Sequence, residues 1–561
     1  MSDLETWRDI TQNYENLRTS KQHEQESPGP MRESLAANQA VESHRGEEGV
    51  AINPWMVAVA VMAGTFMEVL DTTVVNVSLP HIAGSLSSTP EESTWALTSY
   101  LVANAIILPM TGWLANFFGR KRLLMASVVG FALASFFCGL APNLAWLIVF
   151  RVIQGAAGGG LQPLSQAILL EVFPPAERGK AMAFWAIGIV VAPMLGPVLG
   201  GWLTDSYSWR WIFYINIPIG ILALAMTQWF VFDPSYIRRK SESVDYVGMG
   251  FLVIGIGALQ IMLDKGQAED WFASTFITVL AIIAVTGLAC FLVRELWTKH
   301  PIVDLRVFRI RTYATGVFLM TVLGFVLYGS TVLIPLLLQT LLGYPALQAG
   351  VVMLPRGLGS FVAMPIVGAL MSKIESRRLL ITGILLSSFS LYSFSHLNMS
   401  VGYWDFFWPL IIQGSAMGLI FIPLTTITND PVPKEQLGNA TSLFNLMRNL
   451  GAGIGIATVT TVVARHQQVH ISELGENVNP FNQQAQAMLQ GARASLMARG
   501  ADGAAATKQA YASVFGMIQQ QAAIMSFNDA FWLLMAIFLA MLPLVFLMRK
   551  PKHQAGGVAM H

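Results

Sequence analysis

The chain has 561 residues, of which 54% are hydrophobic and 12% are charged, and its mean hydropathy is +0.54. Because soluble domains carry about 25% charged residues, this sequence lacks the polar surface that a soluble enzyme, a nucleic-acid-binding protein or a disordered scaffold needs. The net charge of +1 implies no strongly charged partner, and the two cysteines, Cys138 and Cys290, indicate no disulfide framework. The composition therefore predicts a polytopic membrane protein with no nucleic-acid partner.

The chain begins with a polar segment, residues 1–50, whose ten acidic and five basic residues predict an unpacked cytoplasmic tail. Fourteen runs of about 20 mostly apolar residues follow, and this is the length at which a helix crosses a bilayer. Since the alternating pattern of β-barrel strands is missing, we predict an all-α fold. The predicted spans cover about 54–76, 94–116, 123–141, 145–170, 181–204, 211–232, 246–263, 272–294, 313–340, 346–370, 379–397, 404–428, 438–464 and 529–548.

A long polar segment, residues 465–528, separates the last two spans, and Gln483 to Met525 within it has the composition of an amphipathic helix. Three glycines are expected to interrupt that helix: Gly500, Gly503 and Gly516. Lys and Arg accumulate in cytoplasmic loops. With a cytoplasmic N-terminus, the inner loops and C-terminus hold twenty of them and the short outer loops hold two. We therefore predict that both termini, including residues 551–561, are cytoplasmic and that 465–528 faces outward.

Two pairs of short motifs indicate an internal duplication. Gly112 begins GWLANFFGRKRLL and Gly368 begins GALMSKIESRRLL, 256 residues later, while Gln-Gly pairs at 154 and 413 are 259 residues apart. Duplicated halves are typical of transporters that rock one half against the other. The predicted domains are an N-terminal six-helix bundle at 53–232, two inserted helices at 245–294 and a C-terminal six-helix bundle at 313–550.

Five motifs in order resemble those of the major facilitator superfamily, specifically its fourteen-span drug:proton antiporters of the EmrB/QacA type. They are Leu70–Pro80, Gly112–Arg122, Arg151–Gly155, Gly188–Gly201 and Trp209–Asn216. The resemblance implies the major facilitator fold, with two six-helix bundles plus two inserted helices, in the bacterial inner membrane. Because the long outer segment is similar to that of the EmrB branch, the resemblance also implies a periplasmic adaptor (a membrane fusion protein) and an outer-membrane channel as partners.

Two of these motifs are expected to control conformational change. The loop motif supplies Gly112, Asn116, Gly119 and Arg120, and Asn116 stands where the family usually has an acid, which puts an ion-pair latch at this loop in doubt. The fifth-span motif supplies a thin, bent helix that is expected to pack closely across the interface between the halves. Its residues are Gly188, Pro193, Gly196, Pro197, Gly200 and Gly201.

Five ionisable side chains fall well within the predicted spans: Glu68, Asp71, Arg151, Arg356 and Arg448. Such residues are costly inside a membrane and are functional candidates by default. Glu68 and Asp71 are three apart, so they share one face of the first span. We expect Asp71 to be the principal proton carrier, Glu68 to assist it or to contact cationic substrate, and Arg151 to pair with the first-span acid. The alternatives are a helix-packing hydrogen bond for Asp71, an outer-vestibule position for Glu68, and a structural ion pair or a carbonyl contact for Arg151.

Several side chains lie in spans that line the cavity in this superfamily and are candidates for substrate contact, because flat, soft surfaces suit lipophilic cations. Lipid-facing positions and plain interhelical hydrogen bonds are the alternatives. The candidates are Phe66, Trp95, Tyr100, Asn104, Trp185, Tyr328, Arg356, Gln413, Asn445 and Arg448. The sequence has no phosphate-binding loop and no evident metal-ligand motif, so we predict no enzyme activity, no cofactor and no metal, with the proton as coupling ion.

Together these features predict a proton-driven exporter of lipophilic, cationic drug-like molecules that works by alternating access among membrane lipids. Two alternatives stay open. One is a proton-coupled transporter of a specific metabolite on the same fold. The other is a membrane sensor or scaffold that uses residues 465–528 as its interaction surface, although two intramembrane acids would bring it no benefit.

Overall fold

The computed structural model describes residues 53–175, 177–233, 245–298 and 301–548, and the regular elements in these ranges are all helices. The tails predicted at 1–50 and 551–561 lie outside the described residues. Thirteen of the described helices are long and apolar enough to cross a membrane. The first six are α1 (Pro54–Ser85), α2 (Pro90–Phe118), α3 (Arg120–Leu140), α4 (Leu144–Val172), α5 (Arg178–Ser206) and α6 (Trp211–Phe230).

The described residues after Phe230 add nine longer helices, and each of the fourteen predicted spans overlaps one long helix. They are α7 (Tyr246–Lys265), α8 (Thr275–Trp297), α9 (Arg311–Leu341), α10 (Ala346–Leu370), α11 (Ser376–Phe394), α12 (Tyr403–Asn429), α13 (Leu437–Glu476), α14 (Gln483–Ala498) and α15 (Gly503–Ala540). Helix α11 matches the predicted span at 379–397, but its serines and arginines make it less apolar than the thirteen. An all-α membrane fold is therefore confirmed.

The predicted duplication recurs as matched helix packing. A Cβ added to Gly155 of α4 would overlap the carbonyl oxygen of Tyr100 in α2, and one added to Gly414 of α12 would overlap the carbonyl oxygen of Arg356 in α10. Tyr100 and Arg356 are 256 residues apart, which is the offset of the Gly112 and Gly368 motifs. The second and fourth helices of each half thus meet at a glycine that leaves no room for a side chain.

The inserted helices α7 and α8 pack against each other where Gly255 approaches Gly287. At one end of the pair, Lys265 Nζ donates a hydrogen bond to Thr94 Oγ1 of α2 at 2.6 Å. Nearby, Trp271 Nε1 donates to Thr461 Oγ1 of α13 at 2.8 Å. The insertion therefore contacts both halves of the protein, α2 in the first half and α13 in the second.

Asp245 holds the other end of this pair together. Its carboxylate accepts the amide N–H of Gly248 in the first turn of α7 at 3.1 Å and the Nε–H of Arg294 in α8 at 2.9 Å. The hydrogen bond from Arg294 lowers the pKa of Asp245 below its usual value. The carboxylate consequently stays ionised at neutral pH and links the two helices.

The polar residues 465–528 are largely helical, and we call them the outer helical segment after their predicted side. They comprise the end of α13, all of α14 and the first part of α15. Gly500 has a φ of +94° and forms the turn between α14 and α15, and Gly503 is the first residue of α15. Gly516 lies inside α15 with open space around it, so the expectation that it interrupts the helix is wrong.

The packing at Gly414 predicts a large difference between two glycines of the same protein. Gly414→Ala places a methyl group against the α10 backbone, and such overpacking destabilises a protein by about 1–3 kcal/mol or more. Gly250→Ala, in α7, meets nothing within 4 Å. Thermal unfolding in detergent should show a lower midpoint for Gly414→Ala and no loss for Gly250→Ala. Equal midpoints for Gly414→Ala and the unaltered protein would contradict the packing.

Candidate functional site

A buried ion pair joins α1 to α4. Arg151 Nη1 donates to Asp71 Oδ2 at 2.5 Å, and both side chains are fully buried. Arg151 Nε donates to the Ala96 carbonyl oxygen of α2 at 2.9 Å, and its guanidinium carbon lies 4.1 Å from the centre of the Tyr100 ring. Burial of two charges is tolerated when they are paired and hydrogen-bonded in this way. Arg151, which lies on α4, is thereby also held by α1 and α2.

Two amides complete the surroundings of Asp71. Gln154 Nε2 and Asn216 Nδ2 donate to Asp71 Oδ1 at 2.9 and 2.7 Å. Gln154 Oε1 accepts from Arg151 Nη1 at 2.7 Å, and Asn216 Nδ2 also contacts Ser135 Oγ of α3 at 3.0 Å. Asp71 accepts three hydrogen bonds, which suits an ionised carboxylate because that group is purely an acceptor. We call Asp71, Arg151, Gln154 and Asn216 the buried ionic centre.

Glu68 lies one turn before Asp71 on α1 and has a different environment. Its Oε1 accepts from Asn104 Nδ2 of α2 at 2.9 Å, whereas Oε2 is buried with no hydrogen-bond partner among the described residues. Gln162 of α4 and Arg448 of α13 also interact with this carboxyl group. The two first-span acids therefore differ in hydrogen bonding. Both carboxylate oxygens of Asp71 accept hydrogen bonds, whereas Oε2 of Glu68 has no described donor.

Polar contacts connect α4 to α13 beside Glu68. Arg448 Nη2 donates to Gln162 Oε1 at 2.5 Å, and Asn445 Nδ2 donates to Gln166 Oε1 at 2.6 Å. Gln162 and Gln166 are four residues apart and so lie on one face of α4. The predicted residues Asn445 and Arg448 thus lie at the contact between the first six helices and the last six.

The two halves also meet closely toward the end that carries the basic loops. A Cβ on Gly112 of α2 would lie 2.6 Å from the Asn439 backbone of α13, and one on Gly368 of α10 would crowd α5. Arg178 at the start of α5 donates from Nη1 to Asp430 Oδ1, just after α12, at 2.6 Å. These contacts close this end of the interface.

The loop motif makes its ion pair through Arg120. Arg120 is buried, pairs with Glu171 in the last turn of α4, and donates from Nη2 to the Lys434 carbonyl oxygen at 3.4 Å. Gly119 has a φ of +90° and forms the sharp turn that precedes it. Asn116 is exposed. An ion pair is therefore present at this loop even though position 116 carries no charge.

The glycines of the fifth-span motif face α1 rather than the other half. Added Cβ atoms would meet Met62 at Gly188, Thr73 at Gly196 and Val74 at Gly200. Pro193 is exposed, Gly201 has open space, and α5 is a continuous helix. Two side chains of the motif approach the second half: Pro197 lies 3.8 Å from a Cβ added to Gly350, and a Cβ added to Gly357 would overlap Met194. Helix α5 therefore packs closely across the interface through these side chains, whereas the motif glycines let α1 lie close to α5.

The predicted substrate-contact residues are spread over several places. Trp185 is buried and stacks on Phe421 of α12 at 6.0 Å between ring centres, across the interface. Arg356 Nη1 donates to Thr331 Oγ1 of α9 at 2.6 Å and interacts with Tyr328. Both sites involve the second half.

The other candidates are parts of local packing. Phe66 packs against a buried apolar cluster, and the Trp95 ring lies 5.2 Å from Lys265 Nζ. Gln413 lines a small cavity of α9, α11 and α12. Tyr100 carries Arg151 on its ring, and Asn104 binds Glu68. In the described contacts, the ten candidates therefore belong to several local packing arrangements, and their contact with substrate stays a prediction.

Four polar residues of the site escaped the sequence prediction of site residues: Gln154, Gln162, Gln166 and Asn216. Gln154 and Asn216 stand in two of the quoted motifs, so motif membership was the available signal. Gln162 and Gln166 are four apart in an apolar span, which also marks a polar face. A buried amide costs less to desolvate than a buried charge, so an amide within a span is a weaker sign of a functional site.

The comparisons with known proteins agree with this fold. Residues 61–456 match the family model described as Major Facilitator Superfamily. The chain is 40% identical to the Multidrug export protein EmrB of Escherichia coli K12, covering 90% of this chain and 96% of that one. It is 40% identical to the Fatty acid resistance protein FarB of Neisseria gonorrhoeae, covering 88% and 95%.

Solved structures of the same architecture include the human organic anion transporter MFSD10, with a TM-score of 0.55 at 14% identity over 86% of this chain and 99% of that one. The proton:xylose symporter XylE gives a TM-score of 0.57 at 14% identity over 89% and 96%. At this identity the likeness shows the fold alone. With the family match and the 40% identity, the chain belongs to the major facilitator superfamily of transporters, in its EmrB-like branch.

Proposed function

We propose that the protein is a proton-coupled antiporter that exports lipophilic drug-like molecules by alternating access. Relatives that are 40% identical over nearly the whole chain are named for multidrug export and fatty acid resistance. The observation that carries proton coupling is Glu68, a buried carboxyl group with one oxygen free, beside a buried ion pair and the contact between the halves. Intramembrane carboxyl groups of this kind are typical of proton relays.

Proton exchange is assigned to Glu68. Asp71 accepts three hydrogen bonds and its charge is matched by Arg151, so protonating it would disrupt the buried ionic centre. Glu68 Oε1 accepts a hydrogen bond from Asn104, and Gln162 also interacts with the carboxyl group; Oε2 has no well-aligned hydrogen-bond partner among the described residues and can carry a proton. A guanidinium stays protonated, so Arg151 holds Asp71 in place and carries no proton itself. This proposal exchanges the roles that the sequence alone suggested for the two acids.

Arg448 and Gln162 couple Glu68 to the second half. A deprotonated Glu68 attracts Arg448, or a cationic substrate in its place, whereas a protonated Glu68 attracts neither strongly. The proton and a cationic substrate therefore compete for one carboxyl group, and this competition produces antiport. One proton that enters as one monovalent cation leaves moves no net charge, so the pH gradient drives this exchange with ~1.4 kcal/mol per pH unit. Each pH unit therefore supports a roughly tenfold gradient of such a substrate.

The described contacts fit an outward-facing conformation. The Arg178–Asp430 ion pair and the approach of Gly112 to Asn439 close the end that the Lys and Arg distribution predicts to be cytoplasmic. Opening that end requires these contacts to separate, while the buried ionic centre stays within the first six helices. We place the protein in the bacterial inner membrane with both termini cytoplasmic.

Export of amphipathic carboxylates is a second candidate function. Arg356 is buried, contacts Thr331 and the Leu327 carbonyl oxygen, and makes no ion pair within the described ranges. A buried guanidinium without a carboxylate is a suitable partner for the carboxylate of a fatty acid. Proton release from everted vesicles on addition of a long-chain fatty acid, compared with the release caused by tetraphenylphosphonium, distinguishes the two candidate functions.

We propose a periplasmic adaptor as the partner of the outer helical segment, working with an outer-membrane channel. The segment extends α13 and α15 beyond their predicted spans and exposes large apolar side chains. These include Phe481, Met488, Met497, Tyr511 and Phe515. Large apolar side chains exposed along one polar segment support a protein interface there.

Glu68→Gln should abolish coupling while the protein still folds, because an amide keeps the Asn104 hydrogen bond but carries no exchangeable proton. In everted vesicles, tetraphenylphosphonium-induced proton release should fall at least tenfold at equal protein amount. Asp205→Asn, which alters an exposed carboxylate on α5, is the matched control and should keep full release. Asp71→Asn should lower the free energy of unfolding, since removing one partner of a buried ion pair costs about 3–5 kcal/mol.

The opposite pattern would overturn this assignment of roles. If Glu68→Gln releases protons normally while a stably folded Asp71→Asn does not, Asp71 is the carrier, as the sequence alone suggested. If no probe elicits proton release from the unaltered protein, coupled export itself is refuted.

Gly112→Val should block the closed state of the cytoplasmic end, because its side chain would collide with the Asn439 backbone across the interface. Transport should fall at least tenfold with little change in the amount of folded protein, since the halves can relieve the collision by separating. Gly201→Val, which meets open space on α5, is the control and should transport normally. Unchanged transport by Gly112→Val would show that this approach does not gate the pathway.

Replacing Gln483–Ala498 by a Gly/Ser linker should abolish co-purification of the adaptor. The double variant Phe481→Ser/Met488→Ser should weaken co-purification, and substrate-induced proton release in vesicles should persist in both. Adaptor recovery that is unchanged after both alterations would rule out this docking surface.

A further inference from the structure

A cluster of metal-binding side chains lies away from the buried ionic centre, where α13 meets α15. His466 and His470 are four residues apart on α13, so their rings share one face of the helix. Asp529 of α15 faces them, with Oδ2 at 2.7 Å from His466 Nδ1 and 2.8 Å from His470 Nε2. Three potential ligand atoms thus lie within 4.8 Å of one another.

His470 faces two carboxylates, and this arrangement is satisfied either by an imidazolium that donates from both nitrogens or by a metal ion bound to one of them. Its Nδ1 lies 3.2 Å from Glu473 Oε2 and its Nε2 lies 2.8 Å from Asp529 Oδ2. Carboxylates only accept, and a neutral imidazole has one N–H and one lone pair. If Nδ1–H donates to Glu473, the lone pair of Nε2 faces the carboxylate of Asp529. A metal ion placed between those two atoms satisfies both of them.

We propose that His466, His470 and Asp529 form a zinc-class metal site, with Glu473 orienting His470 from outside the coordination shell. Two imidazole nitrogens and one carboxylate oxygen suit Zn²⁺ or a similar transition metal, whereas Mg²⁺ and Ca²⁺ prefer oxygen ligands throughout. Zn²⁺ takes nitrogen and oxygen ligands at about 2.0–2.2 Å. A metal-ligating histidine commonly gives its other N–H to a carboxylate, as His470 does to Glu473.

The site is accessible from solvent. His466 and Asp529 are 48% and 40% exposed, while His470 is 15% exposed, so an ion can enter from one side and a water can complete the coordination. The three residues lie at the outer limit of the predicted spans 438–464 and 529–548. A metal there would join the two helices that carry the outer helical segment and would restrict their relative movement.

The sequence alone predicts no metal, because two ligands are four residues apart and the third follows 59 residues after the second. A spacing of His-x-x-x-His is common on helices and identifies a site only when a third ligand is supplied. Folding provides that ligand by bringing α15 against α13. The site is independent of the transport proposal, since none of its residues touches Glu68 or Asp71 in the described contacts.

The test is a calorimetric titration of the purified, chelator-treated full-length protein with ZnCl₂. The unaltered protein should bind one more equivalent of Zn²⁺ than Asp529→Asn or His470→Gln. In these variants the affinity of the site for Zn²⁺ should fall at least 100-fold. Glu473→Gln should weaken it about tenfold, the lower end expected for an outer-shell partner. His81→Gln is the matched control, because among the described ion pairs His81 has one acidic neighbour, Asp205 at 3.8 Å.

Zn²⁺ should also raise the thermal unfolding midpoint of the unaltered protein and of His81→Gln, but not that of Asp529→Asn. Each variant must first show the same metal-free unfolding midpoint and a monodisperse elution profile. If His470→Gln fails that check, Asp529→Asn and His466→Gln provide the comparison. Equal zinc stoichiometry in the unaltered protein and in the folded variants would reduce the cluster to ion pairs and overturn the proposal.

Discussion

The ion pair between Asp71 and Arg151 is the constraint on which the first half of this transporter depends. Two charges removed from water are stable only with matched partners, and these partners come from α1, α2, α4 and α6. The glycines of α5 add to the constraint, since they let α1 lie against α5 at the level of Asp71. The first six helices are thereby held as one body around a charge that stays in place.

The fixed charge of Asp71 also positions Glu68, the acid to which we assign proton exchange. Glu68 is one turn from Asp71 on the same helix, so the ion pair that fixes α1 also fixes Glu68 beside Gln162 and Arg448. The described residues of the second half form no equivalent centre. Shifting Asp71 by the repeat offset of 256 gives Leu327, and shifting Arg151 by 259 gives Leu410. Both halves retain the glycine packing between their second and fourth helices, whereas the intramembrane acids Glu68 and Asp71 belong to the first half alone.

The sequence predicts much of this architecture and only part of the chemistry. Span number, duplication and the charged residues are local signals, because apolar run length and intramembrane charge can be recognised at single positions. The difference between Asp71 and Glu68 was not predictable, since it depends on Asn216, which is 145 residues away from Asp71 in the chain. The sequence shows the row of glycines on α5, but periodicity does not indicate which neighbouring helix packs against that row. In the structure it is α1. His466 and Asp529 likewise meet only through folding.

The most direct test of the central claim is the protonation state of each acid during turnover. Infrared difference spectra of the reconstituted protein, recorded on substrate addition, report the C=O stretch of a carboxyl group that loses its proton. The account predicts a negative protonated-carboxyl band in the unaltered protein and in Asp205→Asn, and its disappearance in Glu68→Gln. A band that persists in Glu68→Gln and vanishes in a folded Asp71→Asn would contradict a fixed Asp71–Arg151 pair beside an exchanging Glu68.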